Sequence, residues 1–98
     1  MIKIYKLIDP LNNNIRYIGW TSKKLSKRLS DHISEARRGF RNHKSNWIRS
    51  LMNLNVYPKI ETIEECEYDD RQERETYWIS YYGRENLVNG TDDGEGVS

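Results

Sequence analysis

The stretch IKIYKLIDPLNNNIRYIG, residues 2–19, decides how the chain begins to fold. Ile2, Ile4 and Ile8 fall on one side of a two-residue alternation and Lys3, Tyr5 and Leu7 on the other, the period of a β-strand. DPLNNN, residues 9–14, follows with a proline and three consecutive asparagines, all residues that form turns. A second short strand then runs from Ile15 to Gly19, so the two strands make an antiparallel hairpin. Tyr5 and Tyr17 lie on its two arms as near neighbours, in a register that the turn geometry must set. Gly19 is expected to be the corner at which the chain leaves the strand for a helix.

Beyond that corner the period changes. The first helix is expected to start at Thr21 or Ser22, either of which caps well, and to stop near Gly39. Its apolar stripe is Leu25, Leu29, Ile33, Ala36 and Phe40. Arg28 and His32, four residues apart, share a face along the edge of that stripe, where they should be half-buried. A second helix is expected over Ser45–Asn53, with Trp47, Ile48, Leu51 and Met52 facing a core. A third strand follows near Val56–Ile63, and Pro58 makes it an edge strand or one with an interrupted start. The third helix is expected from Asp70 to Tyr82. Within it Glu75 precedes Trp78, Ile79 and Tyr82 by three, four and seven residues, so it shares a face with three bulky side chains expected to be buried. A carboxylate so placed is a ligand, a catalytic group, one half of a salt bridge, or a side chain reaching out to water. The pattern is α+β: a small three-stranded antiparallel sheet flanked by about three helices, in one domain over residues 1–90, with an acidic, glycine-rich tail at 91–98.

Composition narrows the function. With 98 residues, 36% hydrophobic and 32% charged, the chain has room for one small core and one site. Its single cysteine, Cys66, can form neither an internal disulfide nor a zinc site alone, which fits a reducing compartment, and a cytoplasmic location is expected. No apolar run approaches the roughly 18 residues of a membrane span. Net charge is only +1, but it is polarised. Residues 1–60 hold 13 Lys/Arg against 3 Asp/Glu, and residues 61–98 hold 3 against 12. Such a division points to a phosphate-binding face in the first half, or to two solvated faces that attract each other.

The motifs have a family likeness. KIY at 3–5 and YIG at 17–19, joined by the asparagine-rich turn, are followed by Arg28, His32, His43, Glu75 within ERETYWI, and Asn89 within LVNGTDDG. In order and spacing this set resembles the GIY-YIG nuclease family across essentially the whole chain. One departure is Lys3, where the family usually has glycine. The resemblance implies a DNA endonuclease that hydrolyses phosphodiester bonds with one divalent ion, Mg²⁺ or Mn²⁺, bound by Glu75. It implies Tyr5 as general base, Tyr17 orienting the water or phosphate, Arg28 neutralising the scissile phosphate, and His32 in support. Implied DNA contacts are Lys3, Gly19, Lys24, Lys27, Arg37, Arg38, Arg41, His43, Lys44 and Asn89; Asn89 is equally able to tie the terminal segment to the core. The partner is DNA, with no membrane. Homing enzymes of this kind add a separate DNA-recognition domain, so the chain is either a catalytic domain of a longer enzyme or a compact nuclease with little specificity. Lys3 leaves open a catalytically silent nucleic-acid-binding module, and the charge asymmetry leaves open a protein-interaction domain.

Overall fold

β1, Ile2–Ile8, is the middle strand of the sheet. It pairs antiparallel with β2, Ile15–Thr21, on one side and with β3, Lys59–Cys66, on the other. This is the expected three-stranded antiparallel sheet, and the computed structural model describes it within residues 1–89; the tail at 91–98 lies outside the described residues. The alternation in β1 has its expected consequence. Ile2 and Ile4 enter a core cluster on one side of the sheet, Tyr5 and Leu7 a second cluster on the other. The β1–β2 turn is held by Asp9, whose carboxylate accepts from Leu11 N at 2.8 Å and from the Trp47 indole at 3.4 Å. Asn13 takes a positive φ of 64° there, a conformation asparagine tolerates better than most residues.

Three helices complete the fold: α1, Leu25–Arg37; α2, His43–Met52; and α3, Arg71–Tyr82. Ala36 of α1 and Trp47, Ile48 and Leu51 of α2 cover the Tyr5–Leu7 face, with Val88. Ile79 of α3 covers the opposite face with Ile18, Cys66 and Leu87. The central strand β1 is therefore covered on both faces, and each fully buried aliphatic side chain contributes roughly 1.5–3 kcal/mol of transfer free energy.

Several boundaries differ from expectation, each for a local reason. β2 does not end at Gly19 but continues through Trp20 to Thr21, so the glycine is no corner. Thr21 does not cap α1; its hydroxyl accepts from Lys23 N at 3.0 Å, closing a short turn, and the helix starts after Lys24 without a side-chain cap. Phe40 lies past the end of α1 and is 43% exposed, under the Arg38 guanidinium rather than in the core. α2 starts two residues early because Asn42 caps it, accepting from Ser45 N at 2.8 Å. β3 begins only after Pro58, which has no N–H to give a ladder, and the strand is an edge as expected. A 3-10 turn over Tyr68–Asp70 precedes α3. Of the three bulky neighbours of Glu75 only Ile79 is buried; Trp78 and Tyr82 are half-buried. Among the described residues no helix is long and apolar enough to cross a membrane.

The outer edge of β2 is sealed by the segment after α3. Val88 N donates to Arg16 O at 2.6 Å. Asn89 then uses its side-chain amide as a strand would use its backbone, accepting from Ile18 N at 3.0 Å and donating to Ile18 O at 2.8 Å.

Candidate active site

Tyr5 is the centre of the site and is fully buried. Pairing in register puts it opposite Gly19, and its ring lies over the glycine: a Cβ at position 19 would stand 2.6 Å from the Tyr5 oxygen and 2.7 Å from Cζ. The glycine is needed at that point because an aromatic ring occupies the space. The phenol then meets the inner face of α1. Its oxygen lies 2.6 Å from His32 Nε2, and Arg28 Nε donates to it at 3.3 Å. Arg28 and His32, four residues apart on α1, are both buried, deeper than their place at the edge of the stripe suggested. Tyr17 is half-buried; its ring centre is 6.3 Å from that of Tyr5 and meets His32 edge-on at 5.4 Å.

Burial sets the protonation of this group. It pushes the Tyr5 hydroxyl up to about 12 despite the opposing pull of Arg28, with Glu75 and Glu35 adding to the rise. Burial also raises Tyr17, with the negative charges that Tyr5 and Glu75 carry when ionised. His32 is forced down to about 2 by burial and by the charges of Lys44 and Arg28, so its ring is neutral. A neutral ring with its hydrogen on Nδ1 accepts the Tyr5 hydroxyl at Nε2. Nδ1 itself is buried with no hydrogen-bond partner among the described residues. Asp31 gathers three cations, Lys27 at 2.9 Å, Lys23 at 3.1 Å and Arg28 at 3.9 Å, and the hydrogen bonds from Lys27 and Lys23 hold its carboxyl down at about 2. Arg28 is thus fixed by Tyr5 through one nitrogen and drawn toward Asp31 through another.

A phenol, a neutral imidazole and a guanidinium so joined, beneath a strand carrying YIG, agree with the model of the GIY-YIG catalytic domain, which matches residues 1–89. The chain belongs to the GIY-YIG family. Among solved structures, the catalytic domain of the homing endonuclease I-TevI matches with a TM-score of 0.73 and 25% sequence identity, over 94% of this chain and 100% of that one. No curated protein matches it. The fold is therefore that of a GIY-YIG nuclease, as the motifs implied.

Within this GIY-YIG domain the expected catalytic residues Tyr5, Tyr17, Arg28 and His32 converge. Glu75 approaches from α3, half-buried and near enough for its charge to act on both tyrosines. Among the described residues no group of three or more His, Cys, Asp or Glu could hold a metal. A single carboxylate fits a hard ion such as Mg²⁺ or Mn²⁺, which binds oxygen and retains several waters, and does not fit a protein-caged zinc.

The expected DNA contacts divide. Lys24, Lys27, Arg37, Arg38, Arg41 and His43 are exposed on or beside α1 and α2. Lys3 is half-buried two residues from Tyr5 on the same strand face, its ammonium donating to Lys23 O at 3.4 Å. Gly19 is buried under Tyr5, and both amide atoms of Asn89 are engaged by Ile18, which leaves each a structural task. Lys44 is set apart from these exposed cations. It lies in the first turn of α2 with only 13% of its side chain exposed, bonded to Glu35 at 3.2 Å. Glu35 itself escaped the sequence reading, although its place seven residues after Arg28 and three after His32 puts it on the same helical face.

Proposed function

We propose that this GIY-YIG domain is a DNA endonuclease of the cytoplasm that hydrolyses phosphodiester bonds with one divalent ion, and that target recognition belongs to a separate domain. The observation that carries this reading is the Tyr5 oxygen held between His32 Nε2 at 2.6 Å and Arg28 Nε at 3.3 Å. Hydrolysis needs a base for the attacking water and positive charge at the phosphate. Arg28, with Nε committed to Tyr5, offers its remaining donors to the scissile phosphate.

Tyr5 serves as the base through a two-proton exchange. Its oxygen takes a proton from the attacking water while its own hydroxyl proton passes to His32 Nε2, so no free phenolate is needed at a group that titrates near 12. His32 becomes an imidazolium, which the negative charge of a bound phosphate offsets against Lys44 and Arg28. Tyr17, its ring centre 6.3 Å from that of Tyr5, orients the water or phosphate. Glu75 would hold the divalent ion, whose charge stabilises the leaving oxygen. Lys3, Lys24, Lys27, Arg37, Arg38, Arg41 and His43 supply contacts to the DNA backbone.

The complete burial of Tyr5 favours one second reading, a silent nucleic-acid-binding module in which water never reaches the phenol. Incubating the protein with supercoiled plasmid, with and without Mg²⁺, separates the two. Nicking that requires the ion supports the nuclease; DNA binding with no nicking under any divalent ion supports the module.

A further inference from the structure

We infer that Lys44 is a phosphate-binding cation of this site and that the Glu35 carboxylate occupies it as a stand-in until a DNA phosphate takes its place. The inference rests on the proposed function in taking DNA as the ligand. Lys44 reaches from α2 to α1, where its ammonium lies 3.2 Å from Glu35 Oε1 and 5.3 Å from the centre of the Tyr17 ring. It therefore sits over the Tyr17 ring and beside a carboxylate of α1, the helix that carries Arg28 and His32. Its charge acts on His32, and the Arg28 charge acts on it in turn.

Glu35 is out of place in such a site. Its negative charge acts on both Tyr5 and Tyr17, so it stands where an anionic substrate must come, and no role in the exchange of protons calls for it. A carboxylate at salt-bridge distance from an ammonium resembles one face of a phosphate in charge and in its two acceptor oxygens. A phosphate that takes Lys44 releases Glu35 toward water, to which it is already partly open at 23% exposure. The other account of the pair is a strut joining α1 to α2. The two accounts differ in sign: a strut needs both members, whereas a cation and its stand-in act oppositely on DNA.

The test is the affinity of the whole chain for a fluorescein-labelled duplex, measured in EDTA at several salt concentrations, with a thermal melt of each variant. Lys44→Met is expected to weaken binding about threefold or more and to lower the slope of log K against log salt by about 0.9, one phosphate contact. Glu35→Gln is expected to tighten binding about threefold or more, because one repelling charge is gone. If Lys44→Met is unfolded at the assay temperature, Lys44→Gln carries the same expectation. Weakened binding by both variants, with matching losses in Tm, overturns the stand-in role and leaves the nuclease reading intact. Absence of DNA binding by the unaltered protein overturns both.

Discussion

Gly19 and Tyr5 face each other across the β1–β2 pair, and the tyrosine ring fills the volume that a side chain at 19 would need. Gly19→Ala should therefore displace the Tyr5 phenol. A Cβ 2.6 Å from the hydroxyl forces overpacking, at a cost of about 1–3 kcal/mol. The expected result is a lower Tm together with loss of nicking. A variant that melts and nicks like the unaltered protein shows that Tyr5 does not need this seat.

The two tyrosines are separable by hydroxyl removal. Tyr5→Phe keeps the ring over Gly19, so the fold should persist, while nicking falls by about a hundredfold or more, as for loss of a positioned base. Tyr17→Phe should cost less. Measured single-turnover rates in the reverse order would make Tyr17 the base and Tyr5 its support.

His32 makes a signed prediction about acid. Its pKa falls from an ordinary 6.5 to about 2 on folding, so below 6.5 the unfolded chain binds a proton that the native chain refuses. Its contribution to stability is complete above 6.5 and is lost steadily as pH falls toward 2. Urea midpoints taken from about pH 7 to about pH 5 should decline, above the range in which Asp31 loses its contribution. His32→Asn should flatten that decline. An equal slope in the variant would assign the acid sensitivity to another group.

Asn89 distinguishes edge sealing from DNA contact. Asn89→Ala removes both bonds to Ile18, and the expected cost is about 1–3 kcal/mol of unfolding free energy. DNA affinity of the folded fraction should not change. Unchanged urea stability with weakened binding would restore the nucleic-acid role.

Glu75 is tested by charge removal with shape retained. Glu75→Gln should abolish Mg²⁺-dependent nicking while DNA binding stays equal or becomes tighter, since a negative charge leaves the site. Ion-dependent nicking at an undiminished rate would remove Glu75 from the metal.

Much of the fold was legible because it follows from local periods. The β1 alternation, the Asp9–Asn14 turn, the stripe from Leu25 to Ala36 and the Arg28/His32 pair all stand where period and spacing put them. The misreadings have two causes, tertiary contact for Gly19 and Glu35 and a local turn for Thr21. Gly19 looked like a corner because glycine ends strands, and only the register with β1 reveals the ring above it. Thr21 has the chemistry of a cap but spends its hydroxyl on Lys23 N. Glu35 lay on the Arg28/His32 face all along, yet its relevance depends on Lys44, which arrives from another helix.

The two edges of the sheet are protected by different means. β2 is closed by Val88 and Asn89, whereas β3 remains an edge strand with Glu61 and Glu65 exposed along it and Glu64 half-buried. A second molecule offering the same strand would bring like charges face to face, which disfavours continuous sheet growth between copies. The acidity of β3 thus favours colloidal stability, and exchanging those glutamates for threonine or valine is expected to turn an edge that is open among the described residues into a template for aggregation.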